Sequence, residues 1–203
     1  MEVLIIGAVY IIAVIFSIVL HEVAHGAMAN SLGDPTAKDF GRLTLNPLKH
    51  LDLFGSIILP LLTFYSSGFI FGYAKPVPYN PLNLSNRRTG PVKVALAGPA
   101  TNILVAVLVG LVVRFLPGSL AGGVMGDLLK FIVQINLLLA FFNLIPIPPL
   151  DGHWVLLALL PNRFQRFRYF LQHGSWLFLI VIILFISPWL RFIIDPLFRL
   201  IVG

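Results

Sequence analysis

Two histidines four residues apart flank a glutamate in the run His21-Glu22-Val23-Ala24-His25. On a helix, positions i and i+4 lie one turn apart on one face, so both imidazoles can reach a single cation. Glu22 stands beside them without having to ligate. It can take a proton from a water whose pKa a bound Zn²⁺ has lowered. That chemistry is hydrolysis. The competing reading is a helix end whose polar groups merely face head-group water. The residues before the run favour the first reading: positions 3–20 are apolar apart from Gly7, Tyr10 and Ser17. Ionisable groups at the end of such a helix are costly unless they are paired or used.

A tetrahedral catalytic zinc site takes three protein ligands and leaves one position open. The third ligand must be a His, Asp or Glu, and such residues are scarce here. Asp151, in Asn-Leu-Ile-Pro-Ile-Pro-Pro-Leu-Asp-Gly, follows an apolar helix broken by Pro146, Pro148 and Pro149. Broken helices at membrane depth expose backbone groups and need a cavity. Asp151 alone reads as a plain N-cap for a helix starting near Trp154. Beside His21 and His25 it is expected to be the third ligand of one zinc ion per chain. Asn102 and Asn143 read, on their own, as hydrogen bonds between helices. His153 reads as a solvated helix-start residue, His50 and His173 as interfacial, and Asp52 as a helix cap. Trp154, Trp176 and Trp189 read as interface anchors.

The elements that must position these groups are membrane elements. The 203 residues are 58% hydrophobic and only 11% charged, with a mean hydropathy of +0.95. Soluble domains carry roughly a quarter charged residues. The formal charge of +6 does not indicate nucleic acid, because Lys and Arg sit between apolar runs, where head groups would meet them. There are no cysteines, so disulfides and thiolate metal sites are excluded. The first apolar run lacks a basic start and a small-residue cleavage site, and so reads as a retained helix rather than a secretory signal.

The pattern predicts a helix over 3–29, then a mixed segment over 36–75 with short extended pieces near Phe40, Leu43 and Leu45. Within it, 51–74 is apolar but interrupted by Pro60 and by Ser66-Ser67-Gly68, and 69–73 is β-like. A re-entrant hairpin is expected there, with a single tilted span as the alternative. Helices over 92–116 and 127–145 follow, then a helical piece over 154–160. A basic, aromatic stretch over 163–172 should lie in the interface, and 175–190 can span. The expected fold is an all-α polytopic membrane protein with four to five transmembrane helices and a small β or re-entrant element between the first two strong ones. Residues 1–160 form the core; 161–203 supply the basic segment and a C-terminal span. Basic residues gather in 30–93 and 161–168 and are missing from 117–126. The positive-inside rule places the N-terminus and the 117–126 connection outside, and the two basic regions in the cytoplasm. This requires 51–74 to enter and leave on the same side.

His-Glu-Val-Ala-His-Gly at the end of the first helix, Ala-Gly-Pro-Ala-Thr-Asn opening a later one, and Asn-Leu-Ile-Pro-Ile-Pro-Pro-Leu-Asp-Gly after the next resemble the signature set of the site-2 protease family. These are the M50 intramembrane zinc metalloproteases. The runs at 45–60 and 72–80 resemble its compact branch, and the likeness covers about residues 1–160. The resemblance implies that His21, His25 and Asp151 hold zinc and that Glu22 is catalytic. It implies that Asn143 steadies substrate or oxyanion, and that Asn102 lies on a helix beside the metal. The segment between the first two helices would be a membrane-associated β-structure able to hold an unwound substrate strand by edge pairing. No PDZ or nucleotide-sensing domain is expected. The implied partners are a transmembrane protein substrate and the lipid bilayer of a prokaryotic plasma membrane, with the active site toward the cytoplasm. A homo-oligomer stays open.

Two rivals use the same residues. A zinc-binding or zinc-transporting membrane protein would share the ligands and would not need Glu22. A membrane protease that trims prenylated chains would take a glutamate as its third ligand, but Glu2 and Glu22 are the only glutamates. An inactive relative is disfavoured by the intact motifs.

Overall fold

The computed structural model describes residues 2–67, 74–164, 166, 168, 169 and 187–203. Among the described residues, three helices are long and apolar enough to cross a membrane. The first, α1 (Glu2–Ser31), runs through the apolar stretch and past His25, with no proline before Pro35 to stop it. Helix α4 (Gly90–Phe115) opens with Pro91 in its first turn, where the missing N–H has no intrahelical partner to lose. A single turn, α5 (Gly118–Ala121), leads to helix α6 (Val124–Asn143), which ends just before the first of the three prolines.

Helix α4 is central. It packs on α1 and α6, on the short α7 (Gly152–Leu159), and on the terminal α8 (Arg191–Val202). Its buried positions include Ala95, Ala97, Gly98, Ala106 and Gly110. Small side chains let helix axes approach where lipid supplies no hydrophobic drive. Leu4, Ile5, Ile11, Ile12 and Phe16 of α1 point outward and exposed, as expected for a surface that meets acyl chains. One core cluster joins Ala106, Val133, Leu137, Ile145, Leu150, Leu190 and Ile194, so the C-terminal helix belongs to the same bundle. A second, Ala29, Leu84 and Val94, closes the end of α1. Helix α8 lies beyond the expected last span, whose residues 175–186 fall outside the described ones.

The connection from α1 to α4 differs from expectation. Among the described residues it contains no strand. Residues Thr36–Asp39 form α2, Pro47–Lys49 a 3₁₀ turn, and Phe54–Ile58 a π-turn running into α3 (Leu59–Ser67). Near Phe40 the backbone is satisfied locally, by Phe40 N–H on Thr36 O and Arg42 N–H on Ala37 O, which leaves no ladder to form. The β-like residues 69–73 lie outside the described ones, as do His173 and Trp176. Asp52 caps the π-turn, accepting from Gly55 N–H at 2.7 Å. Within the described residues the π-turn and α3 hold five and nine residues, fewer than the ~17 a span needs. The ends of 51–74 nevertheless meet: Lys75 N–H donates to His50 O at 2.9 Å. Buried Arg42 clamps them, donating to the carbonyls of Lys49, Lys75 and Pro76.

Candidate metal centre

Helix α1 delivers His21 and His25 on one face, and the turn after α6 delivers Asp151. His21 Nε2 and His25 Nε2 lie 3.0 Å apart. Asp151 Oδ2 is 3.1 Å from the first and 3.2 Å from the second. The sequence separates Asp151 from His21 by 130 residues. Asp151 stands at the N-cap position of α7, but its side chain makes no capping hydrogen bond there.

The second nitrogen of each imidazole fixes the tautomer. His25 Nδ1 faces Val94 O at 2.7 Å. A carbonyl can only accept, so Nδ1 carries a proton, and in the neutral imidazole that a metal needs the lone pair is then on Nε2. For His21 the same conclusion passes through a buried relay. Asn136 Nδ2 donates to Ile132 O at 2.8 Å and to Ser17 Oγ at 2.9 Å. Asn136 Oδ1 then accepts from Asn102 Nδ2 at 2.7 Å, and Asn102 Nδ2 also faces Ser17 O at 3.3 Å. Asn102 Oδ1 is therefore the atom 2.5 Å from His21 Nδ1, and it accepts that proton. Ser17 Oγ closes the relay on Ala13 O.

Three lone-pair atoms thus converge with no proton between them, an arrangement that a cation satisfies. A tetrahedral zinc with ligands near 2.0–2.2 Å sets neighbouring ligand atoms about 3.3–3.6 Å apart, and the three edges of 3.0–3.2 Å are a few tenths of an ångström shorter than this. Space is kept by Gly98 on α4. A Cβ there would fall on His25 Nε2 and within 2.6 Å of the His21 ring.

Glu22 is outside the ligand triangle. Its Oε2 accepts from Val77 N–H at 2.9 Å, which pins the carboxylate to the loop between α3 and α4. That loop is tied down by buried Asp34, which accepts from Asn80 N–H, Asn83 Nδ2 and Thr36. Tyr79, in the same loop, has a buried hydroxyl with no partner among the described residues and sets its ring against Trp154. Burial, then the charges of Asp151 and Asp34, push its pKa up to about 12.

Asn143 stands apart from the triangle in its bonding. Its Nδ2 donates to Leu139 O of its own helix at 2.9 Å. His153 is not in the ligand group either: its Nδ1 donates to Leu150 O at 2.6 Å, and burial pushes its pKa down. Sequence reasoning passed over Ser17, Asn136, Gly98, Val77 and Val94. Ser17 and Asn136 left a trace, as polar residues inside apolar helices. Val77 and Val94 act through backbone atoms that every residue has.

The model of peptidase family M50 matches residues 9–125 and 118–187. The candidate zinc metalloprotease YwhC of Bacillus subtilis (strain 168) is 35% identical over 193 residues, covering 92% of this chain and 84% of that one. The candidate zinc metalloprotease Rip2 of Mycolicibacterium smegmatis is 34% identical over 175 residues, covering 86% of this chain and 65% of that longer one. The candidate zinc metalloprotease MJ0611 of Methanocaldococcus jannaschii is 49% identical over 67 residues, covering 32% of each. No solved structure matches.

Proposed function

The chain belongs to peptidase family M50, and from that premise we propose that it is an integral membrane zinc metalloprotease that cleaves transmembrane protein substrates at the membrane boundary. The observation that carries this reading is the triangle of His21 Nε2, His25 Nε2 and Asp151 Oδ2, with Glu22 on the turn between the two histidines. Zinc held by these three would polarise the scissile carbonyl and acidify a water.

The chain's own groups supply the rest. Glu22 takes the proton of the attacking water and returns it to the leaving amine. The Val77 amide holds that carboxylate in place. Asn143 spends one amide hydrogen on Leu139 O, and the second is assigned to the oxyanion of the tetrahedral intermediate. A substrate helix must unwind first, because its amides are already bonded and covered. The meeting of His50 and Lys75 supports a re-entrant reading of 51–74. With the basic residues of 30–93, it favours an active site facing the cytoplasm.

The test compares wild type with Glu22→Gln in detergent with zinc, against a panel of single-span substrates. Zinc is expected in both, and cleavage is expected to fall by about 10²–10⁴-fold in the variant. Equal cleavage would remove the proton role from Glu22. Zinc in both, cleavage by neither, and zinc flux in liposomes would favour the transport reading. No zinc in either would overturn the site.

A further inference from the structure

A cavity of about 1020 Å³ opens between the start of α4 and helix α7, and the metal chemistry makes no use of it. Arg87, Arg88 and Arg168 line it, and among the described residues no carboxylate does. Among the described residues none of the three arginines has an acidic partner; the one Lys or Arg ion pair there is Lys130 with Asp127. Three cationic groups around one space repel each other and raise the local concentration of anions.

The Arg168 guanidinium and the backbone that carries Arg87 and Arg88 are held in place. Arg168 Nη2 donates to the carbonyls of Leu157 and Leu160, the latter at 3.0 Å, where α7 ends. A helix C-terminus is a favourable seat for a cation. Arg168 Nε is buried and has no partner among the described residues. Arg87 and Arg88 follow Asn86, whose side-chain oxygen accepts from the amides of Arg88 at 2.9 Å and Thr89 at 3.0 Å. Trp154 and Tyr169 complete the wall, two residue types that settle at the head-group level of a bilayer. Planar guanidinium forks match the oxygens of a phosphate bidentately, and phosphate is the anion that the phospholipids of that layer carry.

We infer that this cavity binds a phosphate group, and that its source is the headgroup of an anionic membrane phospholipid. This does not rest on the protease reading, since no zinc ligand lines the cavity.

The test uses the full zinc-loaded chain, wild type and Arg87→Gln/Arg88→Gln, reconstituted in nanodiscs of phosphatidylcholine with phosphatidylglycerol. Native mass spectrometry counts the lipids retained on release, and dialysis against radiolabelled inorganic phosphate measures free-anion binding. Wild type is expected to retain phosphatidylglycerol over phosphatidylcholine by about tenfold, and the double variant to lose that preference. Because Arg87 and Arg88 are exposed, the variant should keep its zinc, which reports an intact fold. Arg168→Gln, which also removes bonds to α7, is the second variant and is read the same way. Retention of the anionic lipid without uptake of inorganic phosphate assigns the headgroup as the source. Saturable phosphate uptake lost in the variants keeps the site and assigns a free anion. Equal retention of both lipids with no phosphate uptake, or an unchanged preference in the double variant with zinc retained, overturns the inference.

Discussion

The candidate metal centre depends on residues that never touch the ligand triangle. Asn136 is two hydrogen bonds from His21, yet it decides which way Asn102 faces and so which imidazole nitrogen keeps its lone pair. Partners of this kind set metal affinity by about 10–100-fold. Asn136→Leu keeps the volume and removes the relay. It is expected to weaken zinc by that factor in competition with a chelator while the protein stays folded; unchanged affinity would show that Asn102 orients itself. Tyr79 gives the opposite expectation. Its hydroxyl is buried and unpartnered among the described residues, so Tyr79→Phe removes an unmet polar group. Its thermal stability should change by less than about 0.5 kcal/mol or rise. A loss above about 1 kcal/mol would reveal a partner for the hydroxyl.

At the scale of elements, the site exists because α4 can come very close to α1. Gly98 is where the two helices pass the histidines, and a methyl there would sit 2.6 Å from His21 Cε1 and 2.7 Å from Nε2. Gly98→Ala is expected to reduce bound zinc well below one ion per chain, measured by elemental analysis, with helix content unchanged. Full zinc loading would mean that α4 slides aside at little cost. Asp151 depends on a similar approach: a side chain at Gly152 would run into the backbone of Leu144 and Ile145. The broken end of α6 and the start of α7 are thereby locked together.

For the whole molecule, the loop between α3 and α4 couples stability to pH through Asp34. Burial pushes its carboxyl up, but hydrogen bonds from Thr36, Asn83 and Asn80 outweigh this and leave it below the usual carboxylate range. A group lowered on folding adds stability above its unfolded pKa of about 3.9, and that stability is lost as pH falls through the folded value. The thermal midpoint is therefore expected to fall below about pH 4. In Asp34→Asn the stability near neutral pH should be lower and the acid slope shallower. An identical slope in the variant would move the effect to another carboxylate. The same loop carries Val77, which holds Glu22, so loosening it in acid should also cost activity.

The sequence by itself determined the helices that can span, the pair of histidines with their glutamate, and the aspartate after the proline-broken helix. Each follows from local information: an unbroken apolar run makes a helix in lipid, and a spacing of four places two side chains on one face. What only the tertiary structure decided is everything that needs two distant segments at once. Whether Asp151 caps α7 or turns to the histidines is the same residue in the same local sequence, and the approach of α1 and α4 settles it. The amide of Val77, the carbonyl of Val94 and the clamp of Arg42 on three backbone oxygens carry no side-chain signature to read. The expected extended pieces near Phe40 became turns because their backbone groups found nearer partners. Hydrogen-bond saturation is set by what the fold brings within 3 Å, and no local pattern encodes that.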